Sequence, residues 1–194
     1  MTPSQPSLVH QPTSQPAHPR LFWGVAATVV VLDVVTKELA RRLLVLELVP
    51  REIVGDVLRL SLSYNPGAAF GLSVGAYSRW FFTVLASVIL VVLWRIYHDT
   101  PPGHRLRVVA LALVSGGAVG NVINRLWSER GVVDFIDVGI GTHRWPTFNV
   151  ADMGVSMGAL LLAFVLHRHE TPQAERRDGQ ERPTEARTRG RNRT

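Results

Sequence analysis

Leu106-Arg107-Val108-Val109-Ala110-Leu111-Ala112-Leu113-Val114-Ser115-Gly116-Gly117-Ala118-Val119-Gly120-Asn121-Val122-Ile123-Asn124-Arg125 is an apolar run that ends in a polar cluster. Its length is close to the roughly 20 residues that cross the hydrocarbon of a bilayer. Asn121, Asn124 and Arg125 follow at i, i+3 and i+4, which puts them on one helical face. Amides and charges at membrane depth are costly, so a cluster of them at the end of a span marks a site.

Three further runs have the same character: Leu21–Leu39, Trp80–Tyr97 and Val150–Leu166. The chain has 194 residues, 46% of them apolar, and is too segmented for a soluble domain. The expected fold is an all-α membrane protein of four transmembrane helices with a small extracytoplasmic β-rich segment. The first run follows a polar leader, lacks a small-x-small cleavage site and runs into Lys37, Arg41 and Arg42, so it reads as a retained helix. Residues 1–20 and 168–194 read as disordered cytoplasmic tails, the second rich in arginine, around a membrane domain at 21–167.

Four spans put both tails on one side, with the loop that carries Arg95, His98, Arg105 and Arg107. That basic face is cytoplasmic by the positive-inside rule, and segments 40–79 and 125–149 lie outside. In Asp56-Val57-Leu58-Arg59-Leu60-Ser61-Leu62-Ser63-Tyr64 apolar and polar residues alternate, which predicts a strand. A lone strand is marginal in water, and Val132-Val133-Asp134-Phe135-Ile136-Asp137 is a plausible partner.

Other chemistries find little support. Cysteine is absent, which excludes disulfides, thiolate metal sites and cysteine nucleophiles. Gly71-Leu72-Ser73-Val74-Gly75 matches G-x-S-x-G without the strand–turn–helix context that the motif needs. His167 and His169 lack an HExxH, so headgroup contact is the better reading and no metal or cofactor is expected. No aromatic residue interleaves the tail arginines, which argues against nucleic acid. A transporter would need more spans or an oligomeric pore.

Spans three and four are joined by one outer loop, so Asn124 and Asp152 share a membrane face. The spacings Gly116…Gly120 and Gly154…Gly158 suit close helix packing. Asp33 and Lys37 are spaced to pair within span one. Asn65-Pro66-Gly67-Ala68-Ala69-Phe70 reads as a turn followed by small residues, over which an extended peptide could pass.

With these residues assembled, the chain resembles the lipoprotein signal peptidases (signal peptidase II), a bacterial family with aspartic-protease chemistry. The resemblance covers Trp23 to His167. It rests on five ordered blocks: Asp33-Val34-Val35-Thr36-Lys37, Asn65 to Phe70, Gly116 to Asn121, Val132-Val133-Asp134-Phe135, and Pro146-Thr147-Phe148-Asn149-Val150-Ala151-Asp152. The resemblance implies one catalytic carboxylate at Asp152 and the other at position 124, where the chain has Asn124. It implies substrate binding by Asn65, Asn121, Arg125, Asn149 and Ala151, with Asp33, Lys37 and Asp134 in supporting places. The implied partners are prolipoprotein signal peptides and membrane lipid, with cyclic-peptide inhibitors of the family. The implied protein is a monomer in the bacterial inner membrane, with its site near the periplasmic face.

An amide at position 124 could hydrogen-bond but not exchange the catalytic proton, and positioned acid–base catalysis is typically worth about 10²–10⁴-fold. The expectation is therefore an impaired peptidase, rescued if Asp134 or Asp137 swings in. The alternative is a catalytically silent relative that binds signal peptides without cutting them.

Overall fold

The computed structural model describes residues 16–44, 50–67 and 75–180, excepting the side chains of 76 and 169–180. Its helices are α1 (Pro19–Leu43), α2 (Ser78–His98), α3 (Arg105–Trp127) and α4 (Val150–Gln180). All four are long and apolar enough to cross a membrane. The four expected spans are thus present, each helix running slightly past its apolar run. α4 goes furthest, continuing past Arg168 to Gln180 where an irregular tail was expected.

α3 is the centre of the bundle and packs against α1, α2 and α4. Its glycines explain how. A Cβ at Gly116 would meet the Ala26 carbonyl oxygen of α1 at 2.8 Å, and one at Gly120 would meet Asp33 Oδ2 at 2.5 Å. Gly117 faces the other way, and its Cβ would collide with the Ala151 carbonyl oxygen of α4. Gly158 of α4 answers against Ala110 of α3. The small residues therefore divide their work: Gly116 and Gly120 admit α1, while Gly117 and Gly158 close α3 on α4.

Replacing Gly117 by Ala should cost about 1–3 kcal/mol by overpacking, because the obstacle is backbone. Gly24→Ala meets nothing within 4 Å and serves as the control. Thermal unfolding of the two variants measures the difference, and the expected outcome is a fall in Tm for Gly117→Ala alone.

The extramembrane part is a four-stranded antiparallel sheet in the order β1 (Arg51–Val54), β2 (Leu58–Asn65), β3 (Val132–Ile140), β4 (His143–Arg144). The alternating segment forms β2 and pairs with the expected partner, with Tyr64 opposite Val133 and Ser63 opposite Asp134. Leu62, Val133 and Phe135 form an apolar cluster with Ala40 near the end of α1. Asp137 binds Arg59 at 3.2 Å and Arg144 at 2.7 Å, which ties β2 and β4 to β3. Val133 at the start of β3 is hydrogen-bonded to Asn124 of α3 and to Asn149 before α4, which sets the strand over those helix ends. At the opposite end of the bundle, Phe22 of α1 stacks on the fully buried Tyr97 of α2 at 4.0 Å.

Candidate active site

The chain entering α4 builds the site around a helix cap. Asn149 precedes the helix, and its Oδ1 accepts the backbone N–H of Asp152 at 3.0 Å. Asp152 answers, its Oδ2 accepting the backbone N–H of Asn149 at 3.2 Å. This is a capping box, and it satisfies two N–H groups that the first helical turn leaves open. It also fixes the Asp152 carboxylate at a helix N-terminus, where negative charge is favoured.

Asn149 is fully buried, and its side-chain amide reaches the other way, donating to Asp134 Oδ1 at 2.6 Å. One residue thus hydrogen-bonds two carboxylates, and both Asp134 and Asp152 line a cavity of about 560 Å³. Asn121 holds the second oxygen of Asp152, its Nδ2 donating to Oδ1 at 2.9 Å. The orientation of that amide is enforced from behind, since Asn121 Oδ1 accepts from Lys37 Nζ at 2.8 Å.

Lys37 also binds Asp33 Oδ2 at 2.8 Å, forming the expected pair, and both residues are buried. Asp33 Oδ1 in turn accepts the N–H of Ala151 at 2.9 Å. The span-one charges therefore act as a brace. They cap the start of α4 from α1 and aim Asn121 at Asp152.

Burial, foremost, pushes the Asp134 carboxyl from 3.8 up to about 7, and the negative charge of Asp152 adds to it. Hydrogen bonds from Asn149 and Asn65 and the charge of Lys37 pull the other way and do not cancel it. A buried carboxyl beside a second carboxylate is the pattern of acid–base pairs.

Asn65, Asn121 and Arg125 also line the cavity. Asn65 Oδ1 accepts the Gly67 N–H at 3.0 Å, a side-chain turn, and Arg125 Nη2 donates to the Gly67 carbonyl at 3.2 Å. The rest of that block, Ala68 to Phe70, lies outside the described residues, as does most of the G-x-S-x-G match.

Four expectations change. Asn124 does not line the cavity; it is buried, and its Oδ1 accepts the backbone N–H of Val133 at 2.6 Å. It fastens β3 to the end of α3. Asp134, expected in a supporting place, stands on the cavity wall instead. Ala151 is fully buried between α1, α3 and α4, so it packs helices and does not face the cavity. Asp137, considered as a rescuing acid, is held by Arg59 and Arg144. The first two share one physical reason. Strand β3 turns back over the helix ends, which brings in the residue after Val133 and leaves position 124 beneath it.

The family model for signal peptidase (SPase) II matches residues 25–168. The chain belongs to the signal peptidase II family. It is similar to a lipoprotein signal peptidase of Hydrogenovibrio crunogenus, 46% identical over 142 residues that cover 71% of this chain and 80% of that protein. The same-named protein of Geobacillus kaustophilus is 36% identical over 153 residues, covering 78% and 96%. A solved bacterial membrane enzyme is similar in fold, with TM-score 0.72 and 29% identity over 80% of this chain and 93% of that one. Signal peptidase II membership makes the chain a protease.

Proposed function

We propose that this chain removes signal peptides from diacylglyceryl-modified prolipoproteins, using Asp134 and Asp152 as its catalytic pair. The observation that carries this is the hydrogen bonding of both carboxylates by Asn149 on one cavity wall. Asp152 takes N–H donors on both oxygens, which suits the ionised, acceptor-only form. Asp134 keeps the proton.

In the first step Asp152 removes a proton from water, and the oxygen attacks the scissile carbonyl carbon. Asp134 gives its proton to the carbonyl oxygen, leaving a neutral tetrahedral diol. Asp152 then delivers its proton to the leaving nitrogen of the cysteine as the C–N bond breaks, and Asp134 recovers a proton from the collapsing diol. The pair ends as it began. Arg125 and Asn65, on the same wall, are placed to hold the peptide backbone of the substrate. Met153, Val155 and Met157 extend the wall along α4 and suit acyl chains.

In this reading Asn124 takes no part in the chemistry, the pair is complete, and neither impairment nor silent binding follows. The arginines Arg95, Arg105, Arg107 and Arg168 lie at the bundle end opposite the pair, which supports a cytoplasmic face there and a periplasmic site.

The test is cleavage of a lipid-modified precursor by the purified protein, with mass spectrometry of the products. The expected cut falls just before the modified cysteine, and a cut elsewhere, or none, refutes the proposal. The pH profile adds a second reading. Asp134 holds its proton until about pH 7, so turnover should fall on the alkaline side with a midpoint near 7. Stability follows the same sign. Between the unfolded value of 3.8 and about 7 the folded state binds the extra proton, so stability declines as pH rises through that window. Asp134→Asn should remove this decline, as thermal melts at pH 5 and pH 8 would show.

A further inference from the structure

At the end of the bundle away from the carboxylates, the first turn of α3 and the inner turns of α4 enclose a second cleft of about 410 Å³. Arg105 begins α3 and Asn124 lies 19 residues further along, about 28 Å at 1.5 Å per residue. The cleft is therefore separate from the candidate active site.

Its wall carries Arg105, Arg107 and Arg168 and no carboxylate. Among the described residues none of the three arginines forms an ion pair. Arg107 Nε is buried without a hydrogen-bond partner, and a buried donor left unpaired is costly. Arg168 lies over the ring of Phe164, another wall residue, at 5.3 Å. Three cations gathered without a counter-charge among the described residues call for an anion from outside.

The remaining wall decides which anion. Leu106, Phe164 and Val165 give the cleft an apolar floor, at the ends of helices long and apolar enough to cross a membrane. A free phosphate would use the arginines and leave that floor bare. A phospholipid would use both, with its phosphate on the guanidinium forks and an acyl chain along the floor.

We propose that this cleft binds an anionic phospholipid of the adjoining leaflet, held by Arg105, Arg107 and Arg168 through its phosphate. The bound lipid would fix the depth of α3 and α4 in the bilayer.

The test uses the full-length protein in detergent micelles, titrated with phosphatidylglycerol, phosphatidylcholine or inorganic phosphate and read by native mass spectrometry. The unaltered chain should retain phosphatidylglycerol in preference to phosphatidylcholine. Each arginine changed to Gln should weaken that retention by roughly five-fold, the worth of one basic group near anionic lipid. The triple variant Arg105→Gln, Arg107→Gln, Arg168→Gln is compared with Arg41→Gln, Arg42→Gln, Arg51→Gln, which removes equal charge elsewhere and should retain lipid. Circular dichroism checks the helices; should the triple variant lose them, the exposed Arg105→Gln alone is read. Equal retention of both lipids, equal loss in both triple variants, or displacement of lipid by inorganic phosphate would each overturn the proposal.

Discussion

Asp152→Asn and Asp134→Asn are each expected to lower kcat by roughly 10⁴-fold, the upper end for a positioned proton-transfer group. The upper end applies because each acid acts twice in the cycle, once in the attack and once in the collapse. Both substitutions are close in shape, and Asn at 134 can still accept the 2.6 Å hydrogen bond from Asn149. Substrate affinity should therefore change little while turnover is lost. The double variant should be no slower than either single one, because residues that work as a unit do not add. Single-turnover cleavage of a lipid-modified precursor separates the chemical step from binding. A multiplicative loss in the double variant would show that the two acids act independently.

The second large effect is expected at Lys37, which touches neither the cavity nor the catalytic pair. Lys37→Met keeps the bulk and removes the ammonium that holds Asp33 and orients Asn121. Removing one partner of a buried ion pair typically costs about 3–5 kcal/mol, because the other charge is stranded. The Asn121 amide also loses the contact that aims its Nδ2 at Asp152, and a misplaced catalytic group can lose on the order of 10²-fold in rate. Thermal unfolding and kcat should both fall. Adding Asp33→Asn should restore part of the stability, since no charge is then stranded, without restoring the rate. A Lys37→Met protein with unchanged Tm and kcat would show that the brace from α1 is idle.

Much of this was legible in the residues. Apolar runs of span length gave the helices, because in a membrane the requirement for about 20 apolar residues is strict. The alternation in 56–64 gave β2 and its partner, because period two is the signature of a half-buried strand. The spacing of Asp33 and Lys37 gave their ion pair. Asn121, Asn149 and Asp152 stand out in the sequence because polar groups at helix ends in a membrane are rare.

What was not legible depends on how the chain folds back. Asn124 and Arg125 are neighbours in sequence, yet Arg125 lines the cavity and Asn124 is turned to the Val133 N–H. Position 124 is placed in the site by the resemblance alone, and one-face spacing with Asn121 does not settle what Asn124 touches. The strand signal around Asp134 explains it as part of a sheet. One signal did point to it: a carboxylate within an otherwise apolar strand core, between Val133 and Phe135, has no structural need to be charged.

The most direct measurement compares cleavage by the unaltered chain, Asn124→Asp and Asp134→Asn on the same lipid-modified precursor. With Asp134 as the partner of Asp152, the unaltered chain and Asn124→Asp should cut at comparable rates while Asp134→Asn is nearly inert. If only Asn124→Asp cuts, the second carboxylate belongs at position 124, and the pairing of Asp134 with Asp152 is wrong.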